Sequence, residues 1–150
     1  MTRGRSKTDY NLIMPFEEIS HTADWSLRVW AADLRQLFEE SAKGMNAIAG
    51  TRLADSPRVR RNLSLSAADK ESLLVSFLSE LVYFAEQNRL AFDEFDLKIE
   101  AGPSQTYNLS AMLTGASIQN QDKAIKAVTY HNLHIRQTRR GFEVEIVFDV

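Results

Sequence analysis

The chain has 150 residues, of which 44% are hydrophobic and 25% charged, with a formal net charge of -2 and no cysteine. That size suits one globular domain with its own core, and the missing thiols exclude disulfides and thiolate zinc sites. The mild negative charge argues against a domain built to grip phosphate backbones, so no direct stable nucleic-acid binding is expected. No apolar run approaches the roughly 20 residues that cross a bilayer, and the opening Met1-Thr2-Arg3-Gly4-Arg5-Ser6-Lys7 lacks the apolar stretch of a secretion signal. A cytoplasmic protein with no membrane contact is the expectation.

Residues 1–14 mix basic and polar side chains without a period and read as a flexible extension, leaving 15–150 as the folded domain. Phe16 to Ile19 reads as a short strand, His21 to Asp24 as a loop, and Ser26 to Ala32 as a strand in which Leu27, Val29 and Ala31 alternate with Ser26, Arg28 and Trp30. Both Trp25 and Trp30 then need packing partners. At Asp33 the period changes: Leu34, Leu37, Phe38, Ser41, Met45 and Ile48 share one face of a helix. Asp33 is placed to cap it, Gln36 has capping-box spacing, and Gly50 is a stop. Gly44, inside the helix, implies either close approach of a neighbouring backbone or simple tolerance.

Val59, Arg61, Leu63 and Leu65 alternate with polar residues and read as a strand, with Arg58, Arg60 and Arg61 marking its exposed face. Asp69 opens a second helix whose apolar face comprises Leu73, Leu74, Phe77, Leu78, Leu81, Phe84 and Ala85. Four strand-like segments follow: Phe95 to Glu100, Thr106 to Thr114, Ile125 to Arg136 and Phe142 to Asp149, the third preceded by a polar loop around Gln119 to Asp122. In the last, Phe142, Val144, Ile146 and Phe148 face the core while Glu143, Glu145, Val147 and Asp149 face away. This order cannot give a doubly wound α/β sheet. It predicts a single α+β domain with two helices packed on a largely antiparallel β-sheet.

Phosphate loops, zinc-protease helices and nucleophile elbows are all missing, so the sequence carries none of these common enzyme signatures. Ser20 beside His21 does not make a nucleophile and base face each other. Thr129 and His131, two apart on an expected strand, could share a face, although bonding to neighbours or water explains such groups equally well. The early Asp24 and the closing Asp149 and Val150 are the informative group. Taken singly, Asp24 is an ordinary turn aspartate and Asp149 a solvated chain end. Brought together, two carboxylates and a terminal carboxyl would repel unless a cation sat between them, and hard divalent ions prefer such oxygen ligands.

Phe16-Glu17-Glu18-Ile19-Ser20-His21-Thr22-Ala23-Asp24, the helix segment with Ala42-Lys43-Gly44-Met45, Ile125-Lys126-Ala127-Val128-Thr129-Tyr130-His131, and the closing Val147-Phe148-Asp149-Val150 together resemble the archease family. The blocks keep their order, and the resemblance runs from about Phe16 to Val150. It implies a small α+β protein cofactor, not itself an enzyme, that activates an RtcB-type RNA ligase by promoting ligase guanylylation and repeated turnover in tRNA splicing or RNA repair. It also implies a divalent metal ion, Ca²⁺, Mg²⁺ or Mn²⁺, held by Asp24, Asp149 and the carboxylate of Val150. A chaperone-like adaptor whose carboxylates make protein contacts without metal is the alternative. One departure concerns a third ligand: the family's acidic loop after glycine reads Gly115-Ala116-Ser117 here, and Asp122 is the available substitute.

Overall fold

A computed structural model describes residues 15–20 and 24–150. The extension expected over 1–14, and His21 with its loop partners, lie outside the described residues. The strands are β1 (Phe16–Ser20), β2 (Trp25–Ala31), β3 (Arg52–Leu53), β4 (Val59–Ala67), β5 (Leu90–Ala101), β6 (Tyr107–Asn120), β7 (Ala127–Val128), β8 (Arg136–Thr138) and β9 (Gly141–Asp149). Helix α1 (Leu34–Ala49) follows β2, and α2 (Lys70–Asn88) follows β4. The α+β class and the two helices are as expected, but the strands divide into two sheets. One is ordered β1-β2-β9, with β7 and β8 both on the far edge of β9; the other is built on β6, with β3 and β4 along one edge and β5 along the other. Every pairing is antiparallel.

Both helices touch both sheets, α1 against β1, β2, β9 and β5, and α2 against β4, β5, β6 and β7. One core therefore joins the two sheets through the helices. Leu27, Val29, Leu37, Phe38, Phe77, Leu113, Ile146 and Phe148 are fully or almost fully buried in it. Aromatic rings link its parts: Phe38 stacks on Phe77 at 5.9 Å between centroids, and Phe84 meets Phe92 edge-on at 5.2 Å. No neighbouring backbone among the described residues explains Gly44; side chains approach it instead, since a Cβ there would stand 2.7 Å from Leu27 Cδ2 and 3.1 Å from Phe16 Cγ. Trp25 packs on the core, and Trp30 carries the Arg140 guanidinium 5.4 Å above its ring.

Both helix starts are capped as their sequences require. Asp33 Oδ1 accepts from Gln36 N at 2.8 Å and Asp69 Oδ1 from Ser72 N at 2.7 Å. The Gln36 side chain reaches back to Ala32 N, at 3.2 Å, one residue before the capping-box position. Hydrogen bonds from the backbone and then the side chain of Ser72 hold the Asp69 carboxyl below its ordinary value of 3.8. A carboxyl depressed in the fold stabilises it above the unfolded value, and that contribution is lost as pH falls through the folded one. Asp69→Ala is accordingly expected to cost about 1 kcal/mol at pH 7. The gap from wild type should narrow below pH 3.8 in urea unfolding curves; a gap unchanged with pH would remove the charge from this account.

Several boundaries differ from those expected. β5 begins at Leu90 rather than Phe95, β6 runs on to Asn120 through the stretch read as a polar loop, and the two-residue β3 carried no legible period. Segment Ile125 to Arg136 is not one strand. It breaks after Val128, where Thr129 turns its hydroxyl to Val147 O at 3.0 Å, Leu133 N closes a turn on Tyr130 O at 3.0 Å, and Asn132 takes a left-handed φ of 53°. Val147, expected on the solvent face, is buried at 7% exposure, as is Ser26 across from it at 1%.

Candidate metal centre

The β2–β9 register determines what the chain ends can do. Trp25 pairs with Phe148, Leu27 with Ile146 and Val29 with Val144, so the apolar faces of both strands coincide. The last rung of the β2–β9 ladder is Trp25–Phe148, and Asp24 precedes Trp25 in the chain as Asp149 follows Phe148. Residues opposite each other on such a pair stand about 5 Å apart at Cβ. Both aspartates are exposed. The β2–β9 pairing thus brings the backbone of the two ends of the domain together at Trp25 and Phe148.

Asp149 is held from its other side too. Ala127 pairs with it, and Lys126 N donates to Asp149 O at 2.8 Å, so β7 fixes the strand end against fraying. Val150 is half-buried with its side chain packed on the core. Behind β7, the loop is tied to α2: Glu71 Oε2 accepts from the backbone N of buried Ile135 at 3.0 Å and lies 3.8 Å from His134 Nδ1. Glu71→Ala would leave that N–H unpartnered, a loss of about 1–3 kcal/mol. Amide exchange at Leu133 to Ile135 should quicken with it; unchanged exchange would show that the tie is not holding the loop.

Two other candidates fall away. Thr129 and His131 do not share a strand face, since the strand stops at Val128 and the Thr129 hydroxyl is committed to Val147 O while accepting from His131 N at 3.2 Å. No third acid joins the pair: among the described residues, no group of three or more His, Cys, Asp or Glu side chains could hold a metal. Ala116, where the family's acid was sought, is fully buried in β6, and the Asp122 side chain instead lies against Gly50 at the end of α1. The donor set therefore fits a hard divalent ion that keeps several waters, held by few protein oxygens. No helix among the described residues is long and apolar enough to cross a membrane.

Sequence reasoning missed Lys126 and Glu71, which position the site without belonging to it. An acid in the first turn of α2 was a visible signal for the second; nothing marked the first, which acts through its backbone.

The family model described as the archease protein family (MTH1598/TM1083) matches residues 16–150. The chain is 31% identical to the archease of Methanosarcina mazei over 140 residues, covering 90% of this chain and 95% of that relative. It is 32% identical to that of Methanosarcina barkeri over the same length and coverage. In fold it is similar to the solution structure of Methanobacterium thermoautotrophicum protein 1598, with TM-score 0.70, 23% identity, and coverage of 91% of this chain and 99% of that one. A Thermotoga maritima archease, described as a possible chaperone, aligns with TM-score 0.60 and 18% identity over 88% of this chain and 94% of its own.

Proposed function

Because the chain belongs to the archease family, we propose that it is a protein cofactor of an RtcB-type RNA ligase, promoting ligase guanylylation and turnover in tRNA splicing or RNA repair. Asp24, Asp149 and the carboxylate of Val150 hold one divalent ion, Ca²⁺, Mg²⁺ or Mn²⁺. The observation that supports this reading is the Trp25–Phe148 rung, which Asp24 precedes and Asp149 follows in the chain. When bound, such an ion supplies concentrated positive charge toward phosphate or carboxylate oxygens. The chain's own part is to hold its oxygens in place: β2 and β9 align the aspartates, Lys126 N fixes the Asp149 backbone, and Glu71 steadies the loop behind β7.

Mixing the protein with the ligase, GTP and Mn²⁺ tests the proposal directly. Guanylylated ligase should accumulate faster than with the ligase alone, and equal rates would defeat it. Extending the chain beyond Val150 replaces an anionic ligand by an amide carbonyl and should weaken activation; an unaffected extended protein would confine the ligands to the two aspartates. A second reading, an adaptor that makes protein contacts without metal, draws on the Thermotoga relative's description as a possible chaperone and on the exposed Tyr83 and Tyr130. Calorimetry separates the two, since the adaptor takes up no ion.

A further inference from the structure

A cavity of about 290 Å³ opens where the C-terminal ends of α1 and α2 meet the 121–126 loop. Its walls are mainly apolar, from Met45 and Ala49 on α1, Leu81, Val82 and Ala85 on α2, and Ile125, with Asn46, Thr51 and Gln121 as the polar part of the lining. Small-molecule pockets start at roughly 300 Å³, so this one has the size for a single large side chain rather than a nucleotide. At its mouth stand Glu86 and two cations, Arg89 and Lys126. All three are exposed, and neither cation forms an ion pair with a described residue. Lys126 joins the cavity to the aspartates, because the same residue that lines it donates its N–H to Asp149 O. Tyr83, 57% exposed, lies one helical turn before Glu86.

We propose that this cavity is an anchor pocket for a partner protein, taking one large apolar side chain from a segment that carries acidic residues beside it. An apolar socket rimmed by unpaired cations, next to an exposed tyrosine, has the make-up of an interface hot spot. The excess of cations over Glu86 selects acidic flanks. The partner's identity as the ligase rests on the function proposed above, whereas the pocket and the charge of its rim stand apart from it. Occupying the pocket would seat the partner against β7 and so against the Asp24–Asp149 end.

The test is binding of the purified ligase to the full chain, with Mn²⁺, by surface plasmon resonance. Ala85→Trp fills the pocket from the α2 wall and Ala124→Trp closes it from the exposed loop; each should weaken binding at least tenfold with the melting temperature held. The double variant Arg89→Glu, Lys126→Glu should weaken it similarly and reduce its salt dependence. If the wild type binds and the folded tryptophan variants bind equally well, the pocket proposal fails while the activator reading survives. A ligase that does not bind the wild type at all defeats both.

Discussion

Asp24→Ala and Asp149→Ala should each lower divalent-ion affinity at least tenfold and return ligase guanylylation to its unassisted rate. Two exposed carboxylates standing as close as about 4 Å repel by only about 1 kcal/mol in water. Their separation is therefore tolerated without an ion, and losing one acid should leave the apo protein as stable as before. The effect should appear on addition of metal. A ligand that binds only the folded state raises stability by RT ln(1 + [L]/Kd), about 2.7 kcal/mol at a hundredfold excess over Kd. Mn²⁺ should raise the melting temperature of the wild type and not that of either variant. Because the pair acts as one unit, the double variant should be little worse than either single one. Variants that bind and activate like wild type would leave the carboxylates with no role in the site.

Gly115→Ala should strongly destabilise the fold. A Cβ at Gly115 would run into the Ala91 carbonyl oxygen and stand 2.7 Å from Phe92 Cα, so the obstacle is the β5 backbone at its bulge between Phe92 and Glu94. Overpacking of this kind costs about 3 kcal/mol, at the top of its usual range, and should lower the melting temperature by roughly 10 °C. Gly44→Ala is the control. Its neighbours are the ends of the Leu27 and Phe16 side chains, which can shift, and alanine regains about 1 kcal/mol of helix propensity. Equal losses from the two substitutions would contradict the assignment of Gly115 to a backbone contact.

Much of this architecture was legible because the local signals were strong. Asp33 and Asp69 cap the helices that their positions announce, and the alternation of β2 and β9 recurs in the burial of Leu27, Val29, Val144 and Ile146. The failures share a cause, which is that long-range partners overruled the local pattern. Gln119 and Asn120 look like loop residues, yet β6 runs through them and β3 pairs there, Arg52 with Asn120 and Leu53 with Ile118. Ile125 to Arg136 looks like one strand, but side-chain bonds from Thr129 and Glu71 bend it away. The division into two sheets left no local trace, since it depends on which edge of β6 or β9 each strand finds. For the site, the aspartates were readable and their juxtaposition was not. The Trp25–Phe148 rung is what supports it.

The central claim is that the two ends of the domain present one oxygen site for a divalent ion, and paramagnetic broadening reads this at residue resolution. In an amide NMR spectrum, substoichiometric Mn²⁺ should selectively broaden Trp25, Lys126, Ala127 and Phe148, leave Ser64 and Ser110 on the other sheet sharp, and lose that selectivity in Asp24→Asn. Broadening centred elsewhere, or none near Trp25 and Phe148, would contradict the account.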